Sequence, residues 1–111
     1  MVNPHRGETL LVVDGETRVA RLSLGALAEL EAELETGTLV ELVERFERGG
    51  FSVRDILAVL AAGLRAEGWE GDAARLARAD IAGGPIEAAR QAALLLARAF
   101  ALPPETLGRP E

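Results

Sequence analysis

The chain has 111 residues, a mass of 11.7 kDa, a formal charge of −6 and no cysteine. That is one domain's worth of chain, and it excludes a disulfide-stapled fold and a Cys-ligated zinc site. Apolar residues make up 49%, too many for a disordered chain, yet no apolar run approaches the roughly 18 residues of a membrane helix.

The first residues, Met1 to Gly7, lack the basic-then-apolar pattern of a signal peptide. A soluble cytoplasmic protein without membrane contact is therefore expected. Residues 8–22 read as a β-hairpin. The runs Leu10 to Val13 and Thr17 to Leu22 flank Asp14-Gly15, a pair suited to the positive φ angles of a tight turn. A two-residue loop sets Val13 opposite Glu16, Leu11 opposite Arg18 and Glu8 opposite Arg21. Arg18 and Arg21 then fall on opposite sides, so the two faces do not separate cleanly. A lone hairpin is marginal in water. It must pack on helices, or its edge must pair with another chain.

From Ser23, a candidate N-cap, the period becomes helical. Leu24, Leu27, Leu30 and Leu34 form one stripe, with Gly37 as the stop. Thr38 and Glu41 have capping-box spacing. Leu39, Leu42, Val43 and Phe46 form the next apolar face, closed by Gly49-Gly50. Residues 23–51 carry seven Glu against two Arg, the most acidic stretch of the chain. Ser52 opens a third helix, with Asp55 near the positive end of its dipole. Its stripe is Val53, Ile56, Leu57, Leu60, Ala61 and Leu64, ended by Gly68. Asp72 caps an Ala-rich fourth helix that is expected to run to about Ala82. Pro85 suits the start of a last helix, faced by Ile86, Ala89, Ala93, Leu96, Ala97 and Phe100. Leu94 and Leu95 make that helix apolar on a second side, which marks it as central. Pro103-Pro104 ends it. The expectation is an α+β chain, mostly α: one domain over 1–104, a hairpin at 8–22, four to five short helices over 23–102, and a flexible tail at 105–111.

The residues for chemistry are scarce. The lone histidine, His5, sits in a Pro- and Gly-flanked terminal segment with no positioned partner. There is no Tyr, and the hydroxyls of Ser23, Thr38 and Ser52 are taken by capping. No nucleophile, base and orienting group can be assembled. Glu29, Glu31, Glu33 and Glu35 alternate along one helix, but no histidines face them to complete a metal site, so a solvated face is expected. The glycine pairs fit no phosphate-loop pattern. Trp69 is expected to fold back onto the core, and Phe51 to act as a hydrophobic staple before the Ser52 cap. No catalytic residue, metal or cofactor is called. The pI near 4.8 argues against nucleic acid as a partner.

Several segments carry a resemblance: Asn3-Pro4-His5-Arg6-Gly7-Glu8 with the hairpin after it, Leu24-Gly25-Ala26-Leu27-Ala28-Glu29-Leu30-Glu31, Leu42-Val43-Glu44-Arg45-Phe46, and Gly49-Gly50-Phe51-Ser52-Val53-Arg54-Asp55. In this order they resemble the small tail-assembly proteins of gene transfer agents, phage-like particles of alphaproteobacteria. The resemblance covers about residues 3–102. It implies a non-enzymatic tail assembly chaperone that binds the tape measure protein, with tail tube protein as a second partner, and it carries no catalytic site. The alternative is a structural tail or neck component. A tail tube subunit needs a β-rich body, and one hairpin is little for that. The expected partner-binding residues are apolar positions left over by the helical stripes: Leu11 and Val13 on the hairpin, Phe100 and Leu102 at the end of the last helix. Self-association through the hairpin edge is a further expectation.

Overall fold

The computed structural model describes residues 7–34 and 37–100. Two strands, β1 (Glu8–Val13) and β2 (Glu16–Arg21), precede five helices: α1 (Leu24–Glu33), α2 (Leu39–Arg48), α3 (Val53–Ala66), α4 (Ala73–Ala77) and α5 (Gly84–Ala99). The fold is thus α+β and mostly α. The expected domain boundary at 104 and the tail after it lie outside the described residues.

The hairpin has the register read from its turn: Val13 opposite Glu16, Leu11 opposite Arg18, Glu8 opposite Arg21. Asp14 and Gly15 have φ angles of 51° and 81°, as a two-residue turn that matches strand twist requires. The face question resolves through packing. Thr9, Leu11, Val13 and Ala20 point inward and are buried. Arg18 lies on that inner side but reaches out to Glu16 at 2.8 Å, its stem covering the sheet and its charge in water.

The first four helices begin where a side chain accepts an orphan backbone N–H, and α5 begins after its N-cap Gly83, with Pro85 in its first turn. Ser23 accepts from Ala26, Thr38 from Glu41, Ser52 from Asp55 and Asp72 from Arg75. Thr38–Glu41 and Ser52–Asp55 are reciprocal capping boxes. The helical faces differ from the expected stripes at their ends. Leu24, Val53 and Ile86 are 86%, 67% and 83% exposed. All three stand in first turns, where the next layer does not reach. On α1 the buried residues are Ala26 and Leu30, with Leu27 half-buried, and Leu34, the C-cap after it, is half-buried too. On α5 the buried face is Ala88, Gln91, Ala92, Leu95 and Leu96, while Ala93 is exposed.

The central helix is α3, not the last one. Every residue from Val59 to Leu64 is buried, and α3 packs on α1, α4, α5 and β2. Gly63 permits this: a Cβ there would lie 3.1 Å from Leu95 Cδ1 and 3.3 Å from Ala20 Cβ. The α5 helix lies on the other side of the core, between α3 and β1. Trp69 folds onto this core and is buried.

The fourth helix is shorter than its sequence suggests. It stops at Ala77 instead of about Ala82, because residues 80–82 are drawn to the edge of β1. Asp14 N–H donates to the Asp80 carbonyl at 2.8 Å, Ala82 N–H donates to the Val12 carbonyl at 3.1 Å, and Val13 and Ile81 form an isolated bridge. The Asp14 carboxylate accepts from Asp80 N–H at 2.8 Å. These bonds replace the helical ones that a longer α4 would have made, and they satisfy an edge that would otherwise be bare.

One buried polar group lacks a partner where a simple test exists. Thr9 is 2% exposed, and its Oγ1 has no hydrogen-bond partner among the described residues. Thr9→Val keeps the shape and removes the desolvated hydroxyl. It is expected to stabilise the fold by about 1 kcal/mol, read as a higher thermal midpoint by circular dichroism.

Candidate partner-binding site

The site is built on the joint between α2 and α3. Gly49-Gly50 turn the chain sharply, which brings the last turn of α2 beside the first turn of α3. Phe46 and Phe51 stack there, ring centroids 4.6 Å apart and 9° from parallel. So the aromatic expected to staple the Ser52 cap is packed on the preceding helix. Arg45 binds Asp55 through two parallel bonds of 3.0 Å, Nε to Oδ2 and Nη2 to Oδ1. Asp55 Oδ2 also accepts the Ser52 N–H at 2.9 Å. Burial pushes the Asp55 carboxyl's pKa up, but the hydrogen bonds from Arg45 and Ser52 and the Arg45 charge outweigh it, so the net shift is downward. The same pair raises the pKa of Arg45.

This joint forms one wall of an open groove of about 610 Å³. Its apolar surface comes from Leu34 after α1, Leu57 and Ala58 on α3, and Ala73, Ala74 and Ala77 on α4. Ala74 and Ala77 are exposed and the other four are half-buried. Glu33, Arg54 and the Arg45–Asp55 pair stand around it. Alanines on α4 leave room for a backbone to come close, and the leucines supply the apolar area. The arrangement suits a helix or apolar side chains laid into it.

No group of acids and histidines among the described residues could hold a metal ion. Of the acidic run, Glu29 and Glu33 lie 3.5 and 4.0 Å from Arg65, and Glu31 is exposed. Glu35 and His5 lie outside the described residues.

Residues 6–102 match the profile of a family described as phage tail tube protein, GTA-gp10. The chain belongs to this family. The match covers nearly all of the stretch that carries the resemblance to gene transfer agent tail proteins. No curated protein and no solved structure matches the chain.

Within this member of the tail family, the expected partner-binding residues are placed apart. Leu11 and Val13 are 2% and 4% exposed, on the inner face of β1. Phe100, half-buried, closes α5 and packs on the core. Leu102 lies outside the described residues. The groove itself escaped the sequence reading. Its signal is the fourth helix, where Ala73, Ala74 and Ala77 surround a single buried Leu76. A helix so poor in large side chains packs by one residue and leaves a shallow channel beside it. No helix among the described residues is long and apolar enough to cross a membrane.

Proposed function

We propose that this tail-family protein is a non-enzymatic assembly chaperone acting in the cytoplasm. It binds the tape measure protein and keeps it soluble while the tail tube forms, with tail tube protein as a second partner. The observation that carries this reading is the open groove between α1, α3 and α4, apolar at its base and set in a charged body. An aggregation-prone helical client needs such a surface, and the charge of −6 keeps the complex soluble. Phe100, with Leu102 beyond it, is a second contact in this reading. Leu11 and Val13 would meet a client only if the hairpin lifts from the core.

A structural tail component is the second reading, and the family's description as a tail tube protein favours it. Against a tube wall stands the small amount of sheet, two strands of six residues each. Co-expression with the tape measure protein of the same gene cluster separates the two. A chaperone makes an otherwise insoluble tape measure soluble, co-elutes with it and is missing from purified particles. A structural component stays in the particles and gives no rescue. Ala74→Arg with Ala77→Arg fills the groove from two exposed positions. It is expected to leave the thermal midpoint within a few degrees and to cut co-elution at least about tenfold.

A further inference from the structure

We infer that the hairpin pairs with a second copy of itself through the open edge of β2, and that this pairing stops at a dimer. The two edges of the hairpin are unequal. On β1, Glu8, Leu10, Val12 and Asp14 point outward. Near the turn the Asp14 N–H and the Val12 carbonyl are bonded to the Asp80 carbonyl and the Ala82 N–H, while the Glu8 carbonyl at the far end accepts from the Arg98 guanidinium. Because Val12 and Asp14 point away from the hairpin, Val13 and its partner Glu16 point into it. By alternation, Thr17, Val19 and Arg21 on β2 point outward. None of them makes a backbone hydrogen bond to any described residue outside the hairpin. The β1 edge is occupied at its turn end by the segment after α4, and the β2 edge is a row of donors and acceptors without a backbone partner among the described residues outside the hairpin.

A bare edge is complementary to another extended strand, and β2 complements itself. An antiparallel partner must keep each face continuous, so residues of like orientation meet. Centring the two-fold axis on Val19 places Val19 opposite Val19 of the second copy, Thr17 opposite Arg21, and Arg18 opposite Ala20. No like charges face each other directly. Centring one residue earlier sets Arg18 against Arg18, which costs free energy. The favoured register also joins the outward apolar residues. Leu10 is 42% exposed and pairs with Val19 across the hairpin, so the dimer carries one apolar row, Leu10–Val19–Val19–Leu10, across four strands. Gly63 of α3 lies below the end of β2, and a Cβ there would come within 3.5 Å of Arg21 N, so its absence keeps side-chain atoms off that donor. Residues 80–82 already occupy the turn half of the β1 edge, which leaves too few free groups there for a further strand to add. The contact is isologous and closes.

The test begins with molar mass by light scattering on the purified chain. Twice 11.7 kDa is expected, and a mass of 11.7 kDa at up to about 100 μM overturns the proposal. Val19→Pro removes only an outward N–H, a change an edge strand accepts. It is expected to give a monomer with unchanged circular dichroism. A folded Val19→Pro variant that stays dimeric overturns the edge assignment. Should this variant unfold, cysteine placement decides, because the chain contains no cysteine. Directly opposed Cα atoms in a hydrogen-bonded pair lie about 5.5 Å apart, within disulfide reach. Val19→Cys is expected to form a disulfide-linked dimer under mild oxidation and Thr17→Cys is not. Equal cross-linking of both, or of neither, overturns the register.

Discussion

Replacing Asp55 by Ala is expected to lower stability by about 3 kcal/mol, which shifts the thermal midpoint down by about 15 °C. Three contacts are lost together. Arg45 loses both bonds of its bidentate pair, the Ser52 N–H loses its acceptor, and the capping box opens. The Arg45 side chain is 26% exposed and Asp55 11%, so the stranded guanidinium is only partly rehydrated. That places the cost near the lower end for breaking a buried pair. An exposed ion pair such as Arg48–Glu44, at 3.9 Å, is worth far less. Asp55→Asn keeps an acceptor for the cap and loses the charge, so a smaller loss is expected. Chemical denaturation of the three proteins measures the order.

The same carboxylate sets a pH dependence. Its pKa is lowered in the folded state, so the folded protein releases this proton more readily than the unfolded chain. The stabilisation is complete above the unfolded value of about 4 and is lost as pH falls through the lower folded value. The gap in stability between wild type and Asp55→Ala is therefore expected to be constant near neutrality and to shrink below about pH 4. Unfolding curves at a series of acidic pH values test this. A gap that widens on acidification would contradict the assigned direction.

Local rules made much of this fold legible. Asp14-Gly15 fixed the hairpin register, and four caps fixed four helix starts, because turns and caps depend on residues within a few positions of each other. What depended on distant partners was not legible. Periodicity placed Val53 and Ile86 on apolar faces, but only the neighbouring elements determine how far along a helix the core extends. The shortening of α4 is a competition between helical bonds and the edge of β1, 66 residues away at Asp14 and Asp80. No window along the chain contains both competitors. The groove is a shape left between three helices, and its alanines read from sequence as weak core.

Gly63 joins these themes. Read along the chain, it is a flaw in the strongest helix, since Gly in a helix interior costs about 1 kcal/mol relative to Ala. The fold gives it a purpose. Gly63→Val is expected to destabilise by about 3 kcal/mol, an overpacking effect. Its Cβ meets Ala20 Cβ at 3.3 Å, a short side chain fixed to β2 that cannot turn aside, and Leu95 Cδ1 at 3.1 Å, the end of a side chain that can rotate. Two further methyl groups have no space between α3, α5 and β2, and the strand or the helix must move. Gly63→Ala adds only the Cβ. Rotation of Leu95 relieves one contact, and the gain in helix propensity offsets the strain at the other, so a change within about 1 kcal/mol is expected. The pair of variants, compared by thermal denaturation, separates close approach from backbone freedom. If Val and Ala cost the same, the contact between α3 and β2 is looser than the distances imply. If Val alone collapses the midpoint, the missing side chain at 63 is what lets the hairpin sit on the helices.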